Sequence, residues 1–138
     1  MDGFSGYNQI QIKLEDQHKT YFICPWGTFA YNKMPFGLKN VGATFQRAMN
    51  FAFHDIKDIA KPYLDDLLAH SHKRIDHPDY LRLIFERCRY YKIHLNPHKC
   101  VFCVESGRLL EFIVSNRGIQ VDSLKVEAIV NLPPCSIR

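Results

Sequence analysis

The chain has 138 residues, 46% of them hydrophobic and 13% aromatic, which is enough apolar surface for one domain-sized core and excludes a wholly disordered polypeptide. Lys and Arg total 18 against 14 Asp and Glu, a formal charge of +4 that is compatible with a polyanionic partner without requiring one. An odd number of cysteines, 5, and the lack of any apolar run long enough for a signal peptide or a membrane span point to a reducing, intracellular setting with free thiols.

No repeat, low-complexity tract or Gly/Ser linker interrupts the chain, so a single domain is expected. The stretch YFICPWGTFAY from Tyr21 is rich in aromatic and β-branched residues and is broken by Pro25-Trp26-Gly27, the pattern of a hairpin. Val41, Phe45, Ala48, Met49, Ala52 and Ile56 fall at helical spacing and predict an amphipathic helix over about residues 40–56. PYLDDLLAHS from Pro62 predicts a second hairpin, with Tyr63-Leu64 and Leu67-Leu68 as its strands and Asp65-Asp66 at its tip. Asp76 as N-cap and Pro78 in the first turn open a second long helix that carries Leu81, Ile84, Phe85 and Cys88 on one face. CVFCV and LLEFIV, separated by Glu105-Ser106-Gly107-Arg108, predict a third hairpin. A last short helix over about residues 123–131 ends at Pro133-Pro134. Hairpins alternating with one-faced helices give an α+β fold, with helices on one side of an antiparallel sheet.

The adjacent carboxylates of Asp65 and Asp66 stand inside an otherwise apolar run. Charge there is costly unless it lies on a solvated turn or holds a cation. Taken alone, an LDD turn is far more commonly a solvated hairpin tip than a cation site. Two other readings stay open at this level. One is a noncatalytic nucleic-acid-binding module, although the strands show no run of the aromatic type that RNA-binding sheets display. The other is a zinc-stabilised domain using His94, His98, Cys100 and Cys103, whose spacing matches no familiar four-ligand pattern.

Five stretches in order, DGFSGYNQI from Asp2, MPFGLKNVGATFQRAMN from Met34, YLDD from Tyr63, LNPHKC from Leu95 and LLEFIVSNRGIQVD from Leu109, together resemble the reverse transcriptases of plant-type, gypsy-class long-terminal-repeat retrotransposons. The resemblance runs over essentially the whole chain. It implies an RNA-directed DNA polymerase, a nucleotidyltransferase that joins a dNTP to a primer 3′ hydroxyl. Its sheet would be palm-like, with a partial fingers hairpin inserted at about residues 13–40. By the same resemblance Asp2, Asp65 and Asp66 are the catalytic carboxylates and would hold two Mg²⁺ ions, with Mn²⁺ able to substitute. Tyr7 is the steric gate under the nucleotide sugar, Phe36 and Gly37 back the nucleotide, and Lys99 stands near the triphosphate. Gln46 supports the template strand, Tyr63 packs beside the primer terminus, and Leu110-Glu111 lies in the primer grip.

The implied partners are an RNA template, a DNA primer, dNTP and the rest of a Pol polyprotein, with no membrane, in a cytoplasmic virus-like particle or the nucleus. Three departures from the family pattern accompany the match. Glu111 stands where the family has Gly, which sets charge and bulk against the primer backbone. Pro62 removes a backbone donor just before the acidic hairpin. Asp2 follows Met1 directly, and the expectation is a chain without the N-terminal fingers region that precedes this motif in relatives and without connection and RNase H regions. A frayed Asp2 and an isolated chain without activity, or a degenerate element copy, are therefore expected.

Overall fold

The computed structural model describes residues 1–110 and 112–132, and the chain divides into two compact units, Met1–Cys100 and Val101–Arg138. The division falls inside a short apolar run, where nothing in the composition marks a linker.

In the first unit, β1 (Phe22–Cys24) and β2 (Gly27–Phe29) form the expected first hairpin, paired from Phe22↔Phe29 to Cys24↔Gly27. Gly27 takes φ +138°, a backbone conformation that a side chain would oppose. The hairpin belongs to an excursion with a closed base. Gln11 bridges Lys33, the Ile12 amide donates to the Asn32 carbonyl at 3.0 Å, and the Met34 amide donates to the Ile10 carbonyl at 2.9 Å. The chain therefore leaves and returns at one point.

Helix α1 (Val41–Ala52) buries Val41, Phe45, Met49 and Ala52, the stripe that the spacing predicts. It stops four residues before the expected end, because Phe53 leaves helical geometry at φ −113° and a 3-10 turn, His54–Ile56, follows. Phe53 is itself almost wholly buried, so packing rather than local propensity ends the helix. Strands β3 (Ala60–Tyr63) and β4 (Asp66–Ala69) pair antiparallel, from Ala60↔Ala69 to Tyr63↔Asp66. The tip is therefore Leu64-Asp65, one residue earlier than expected, and Asp66 is a strand residue. Side-chain alternation sets Ala60, Pro62, Leu67 and Ala69 on one face and Lys61, Tyr63, Asp66 and Leu68 on the other. Ala60 and Leu67 are almost fully buried beneath the helices, whereas Lys61 and Tyr63 are exposed. Pro62 costs β3 nothing here, since among the described residues β3 pairs only with β4 and is an edge strand.

Helix α2 (His77–Tyr90) carries Pro78 in its first turn and buries Leu81, Ile84 and Cys88. Two details differ from expectation. Asp76 does not cap with its side chain, because the 3-10 turn Arg74–Asp76 already holds it in helical geometry, and Phe85 lies outside the buried stripe. The Arg87 guanidinium grips the Asp55 carboxylate with two hydrogen bonds, 2.8 and 2.5 Å, tying α2 to the turn after α1.

In the second unit, β5 (Gly107–Leu109), β6 (Phe112–Ser115) and β7 (Gly118–Val121) form a three-stranded antiparallel meander followed by α3 (Ser123–Val130). CVFCV is not a strand. Cys103 takes φ +55°, which breaks extended pairing, and Val101, Phe102 and Val104 are exposed. Part of the expected turn, Gly107-Arg108, becomes strand instead. Asp122 is the one buried polar residue among the described residues of this unit. It caps α3 by accepting from the Leu124 amide at 3.1 Å and pairs with Arg108 on β5. Pro133-Pro134 lies outside the described residues. The fold is α+β, but among the described residues the strands form sheets of two, two and three strands rather than one sheet.

Ile84 is 0% exposed between the helices and the β3–β4 ribbon, so Ile84→Ala should cost about 2–5 kcal/mol in urea unfolding, while Ile23→Ala on the exposed hairpin should cost under about 0.5 kcal/mol. Burial, with the nearby Cys100, pushes the Cys88 thiol up to about 11. At pH 8 only about a thousandth of it is thiolate, so brief alkylation of the native chain should label exposed Cys103 and spare Cys88 until denaturant is added.

Candidate active site

The segment Met1–Gly3 supplies a third ribbon beside β4. The Met1 ammonium donates to the Leu67 carbonyl at 3.0 Å, and the Leu67 amide returns a bond to the Met1 carbonyl at 2.7 Å. Asp2 bridges Asp66, and the Gly3 amide donates to the Asp65 carbonyl at 2.8 Å. On its other side the segment meets Leu95, with the Asn96 amide donating to the Asp2 carbonyl at 2.8 Å and the Phe4 amide to the His94 carbonyl at 2.9 Å. Asp2 is therefore not frayed. Backbone pairing on both edges overrides its position near the chain end.

Directly opposed residues of an antiparallel pair project to the same side, so Asp2 and Asp66 share the open face with Tyr63. Like charges placed so are mutually unfavourable. Asp65, on the turn, is the most constrained of the three. Its Oδ1 is buried and has no hydrogen-bond partner. Burial raises its pKa above the ordinary carboxylate range, with the charges of Asp2 and then Asp66 adding, while Lys99 opposes them. Ionising Asp65 thus costs stability. Its contribution to folding is greatest below the unfolded carboxylate pKa and is lost as pH rises through the raised folded value.

Gly6 makes room for this carboxylate. A Cβ at Gly6 would stand 2.8 Å from Asp65 Oδ1 and 2.7 Å from the Phe45 ring, closer than real contacts allow. The 3-10 turn Gly6–Gln9 then presents Tyr7, whose ring meets Phe45 edge-on at 5.2 Å and Phe36 edge-on at 5.1 Å. Burial, and then the Asp65 charge, raise the Tyr7 pKa above its ordinary value. Exposed Phe36 thus joins Tyr7 over the acidic turn, and Gly37 beside it takes φ +95°.

Lys99 lies near the acids rather than apart from them, its Nζ 3.9 Å from Asp2 Oδ2. Gln46 is turned inward. Its amide oxygen accepts from the Leu64 amide at 2.6 Å, and its Nε2 donates to the Pro62 carbonyl at 3.0 Å, so it grips the acidic hairpin itself. Leu110, in the second unit, occupies the turn between β5 and β6 at φ +47°, and Glu111 lies outside the described residues. Sequence reasoning missed Gly6, the grip of Gln46 and the pairing of Met1.

Among the described residues, no three His, Cys, Asp or Glu side chains converge on one point as a metal-ligand set. The acids are near enough to couple electrostatically but face differently, Asp2 toward Lys99 and Asp65 Oδ1 toward Gly6 and Phe45. A buried carboxylate oxygen without a donor, flanked by two further carboxylates, nevertheless matches what a hard divalent cation takes.

Residues 1–125 match the family model described as reverse transcriptase (RNA-dependent DNA polymerase). The chain is 34% identical over 134 residues to the retrovirus-related Pol polyprotein from transposon 297 of Drosophila melanogaster, covering 96% of this chain and 13% of that protein. It is 33% identical over 134 residues to the Pol polyprotein from transposon gypsy of the same fly, again covering 96% and 13%. It is 30% identical over 118 residues to the enzymatic polyprotein of cauliflower mosaic virus (strain D/H), covering 86% and 16%. Among solved structures, the foamy viral protease-reverse transcriptase in complex with dsDNA superposes with a TM-score of 0.85 at 18% identity, covering 98% of this chain and 28% of that one. The same protein in complex with RNA/DNA hybrid gives 0.84 at 19% identity, covering 97% and 18%. The chain thus spans about an eighth of the transposon polyproteins it matches, 13% of their length. On its sequence and its fold alike, it belongs to the reverse transcriptase family.

Proposed function

We propose that this chain is the catalytic palm portion of an RNA-directed DNA polymerase that works within a larger Pol polyprotein, with residues of about 13–40 as a fingers-like insertion. The observation that carries this reading is Asp65 Oδ1, buried without a partner on the turn that Asp2 and Asp66 flank, in a chain of this family. The substrates we assign are a dNTP, a DNA primer and an RNA template. The setting we assign is intracellular.

Asp2, Asp65 and Asp66 would hold Mg²⁺, or Mn²⁺ in its place, once Asp2 turns from Lys99. A divalent ion held by these carboxylates would supply Lewis acidity toward the primer 3′ hydroxyl and positive charge to offset that of the leaving pyrophosphate. The chain's own residues bind and orient. Tyr7, wedged between Phe36 and Phe45, gives a rigid ring wall beside the acids that crowds a 2′ hydroxyl. Tyr63, exposed on the same face as Asp66, offers a surface for the primer terminus. Lys99 supplies positive charge at Asp2, within reach of a triphosphate. Leu110 and Glu111 are assigned to the primer grip by their motif.

Asp65→Asn removes a charge that folding disfavours, so in chelator it should raise the stability of the chain in urea unfolding. Mg²⁺ should stabilise the unmutated chain only, narrowing the difference. Mn²⁺ titrated into the chain should broaden amide resonances around Asp2 and the Leu64–Leu67 segment, and the Asp65→Asn/Asp66→Asn pair should abolish the effect. Broadening centred elsewhere, or a destabilised Asp65→Asn, contradicts the assignment.

The polymerase reading itself is tested by exchanging this chain for the matching 134-residue segment of the transposon 297 polyprotein and assaying oligo(dT) extension on poly(rA). Extension should fall by at least about a hundredfold in Asp65→Asn and Asp2→Asn. It should rise in Glu111→Gly, which removes negative charge from the primer-grip motif. A folded chimera that extends equally well with and without Asp65 sinks the proposal.

A further inference from the structure

We propose that Gln46 is the positioning residue of the Asp65 carboxylate: its side-chain amide ties α1 to β3 and to the first residue of the β3–β4 turn, and holds Leu64 in the left-handed conformation that fixes where Asp65 stands. The inference rests on the reading of Asp65 as a metal ligand, and it adds a residue through which that ligand is held.

The turn is chemically unusual. Tyr63 pairs with Asp66, so Leu64-Asp65 is a two-residue hairpin loop. Such loops need positive φ, and Asn-Gly or Gly-X normally supplies it. Here Leu64 takes φ +48°, and Asp65 does not share the positive sign. Positive φ at the first loop position only is the sign pattern of a type II′ turn, where glycine is the usual occupant. A γ-branched residue held there has Cβ crowding against it, so the conformation persists only where surrounding contacts over-determine it.

Gln46 supplies those contacts. The Leu64 amide donates to Gln46 Oε1 at 2.6 Å, Gln46 Nε2 donates to the Pro62 carbonyl at 3.0 Å, and the same Nε2 donates to Asn50 Oδ1 at 2.9 Å. The partners leave the amide one orientation, since Leu64 N–H needs an acceptor and the Pro62 carbonyl needs a donor. Asn50, one helical turn along α1, holds the amide in that orientation. The Leu64 side chain lies over the same helix, its Cδ2 3.7 Å from where a Cβ on Gly42 would stand. The next residue in the turn then has little freedom. Its carbonyl accepts from the Gly3 amide at 2.8 Å, so a turn set by Gln46 also registers the strand that bears Asp2.

The test is a double-mutant cycle in the full chain with Gln46→Leu and Leu64→Gly, read three ways: urea unfolding, hydrogen exchange of the residue-64 amide, and Mn²⁺ affinity from relaxation enhancement. Gln46→Leu should speed exchange at residue 64 and weaken Mn²⁺ by about tenfold each, the equilibrium equivalent of one net hydrogen bond. Leu64→Gly adopts the turn unaided, so Gln46→Leu should cost several-fold less in that background, and the two effects should not add. A glutamine that merely filled the helix surface would show no such rescue. Additive effects, or a Gln46→Leu chain within twofold of the original in both exchange and Mn²⁺ affinity, overturn the proposal. If Gln46→Leu unfolds, recovery of folding by Leu64→Gly supports it and failure to recover overturns it. Should the unmutated chain bind no Mn²⁺ at Asp65, the metal reading fails, while the exchange and unfolding arms still decide the role of Gln46.

Discussion

The acids are brought together by backbone pairing. Met1, Asp2 and Gly3 lie between β4 and Leu95, and their hydrogen bonds run to Leu67, Asp65, His94 and Asn96. This ribbon brings Asp2 opposite Asp66 and ties Gly3 to the carbonyl of Asp65. Three acids from two distant stretches of chain are thereby concentrated on one edge of a small sheet. No salt bridge could do this, because the charges to be gathered repel one another. The unfavourable electrostatics are imposed by hydrogen bonds that do not depend on charge, and the hydrophobic core beneath anchors them through Leu67 and Phe45.

From that constraint the rest of the site follows in order. Gathering the acids leaves Asp65 with a raised pKa and one oxygen without a donor. Fitting its carboxylate beside Phe45 requires glycine at position 6. Glycine at 6 in turn brings Tyr7 close enough to stack edge-on with Phe45 and Phe36, which shapes one wall of the open face. Lys99 offsets part of the negative charge from the rim, at a distance and exposure where screening keeps its effect small.

The helices and hairpins of the first unit were legible because one periodicity or one turn signal dominated each. The Val41-to-Ala52 stripe, the Pro25-Trp26-Gly27 break and the Pro78 start all act locally. What was not legible depended on tertiary contacts. The end of α1 at Ala52 is decided by burial of Phe53, the status of Asp76 by a preceding 3-10 turn, and the register of the acidic hairpin by Gln46 gripping Leu64. A bulky residue at positive φ is invisible to turn chemistry, so the tip was placed one residue late. CVFCV failed for the opposite reason: its composition suits a strand, yet Cys103 turns left-handed and no partner strand is offered. The acidic residues themselves stood out by motif, while the residues that hold them, Gly6, Gln46 and Met1, carry no signal until the chain is folded.

The central claim is that Asp2 and Asp65 are held as one cation-binding edge. Anomalous diffraction from crystals of the chain soaked in Mn²⁺ tests it most directly. A peak between the Asp2 and Asp65 carboxylates, at roughly 2.1 Å from an oxygen of each, with Lys99 displaced from Asp2, is the result expected. Saturating Mn²⁺ that leaves this edge without a peak, with Asp2 still facing Lys99, would contradict it.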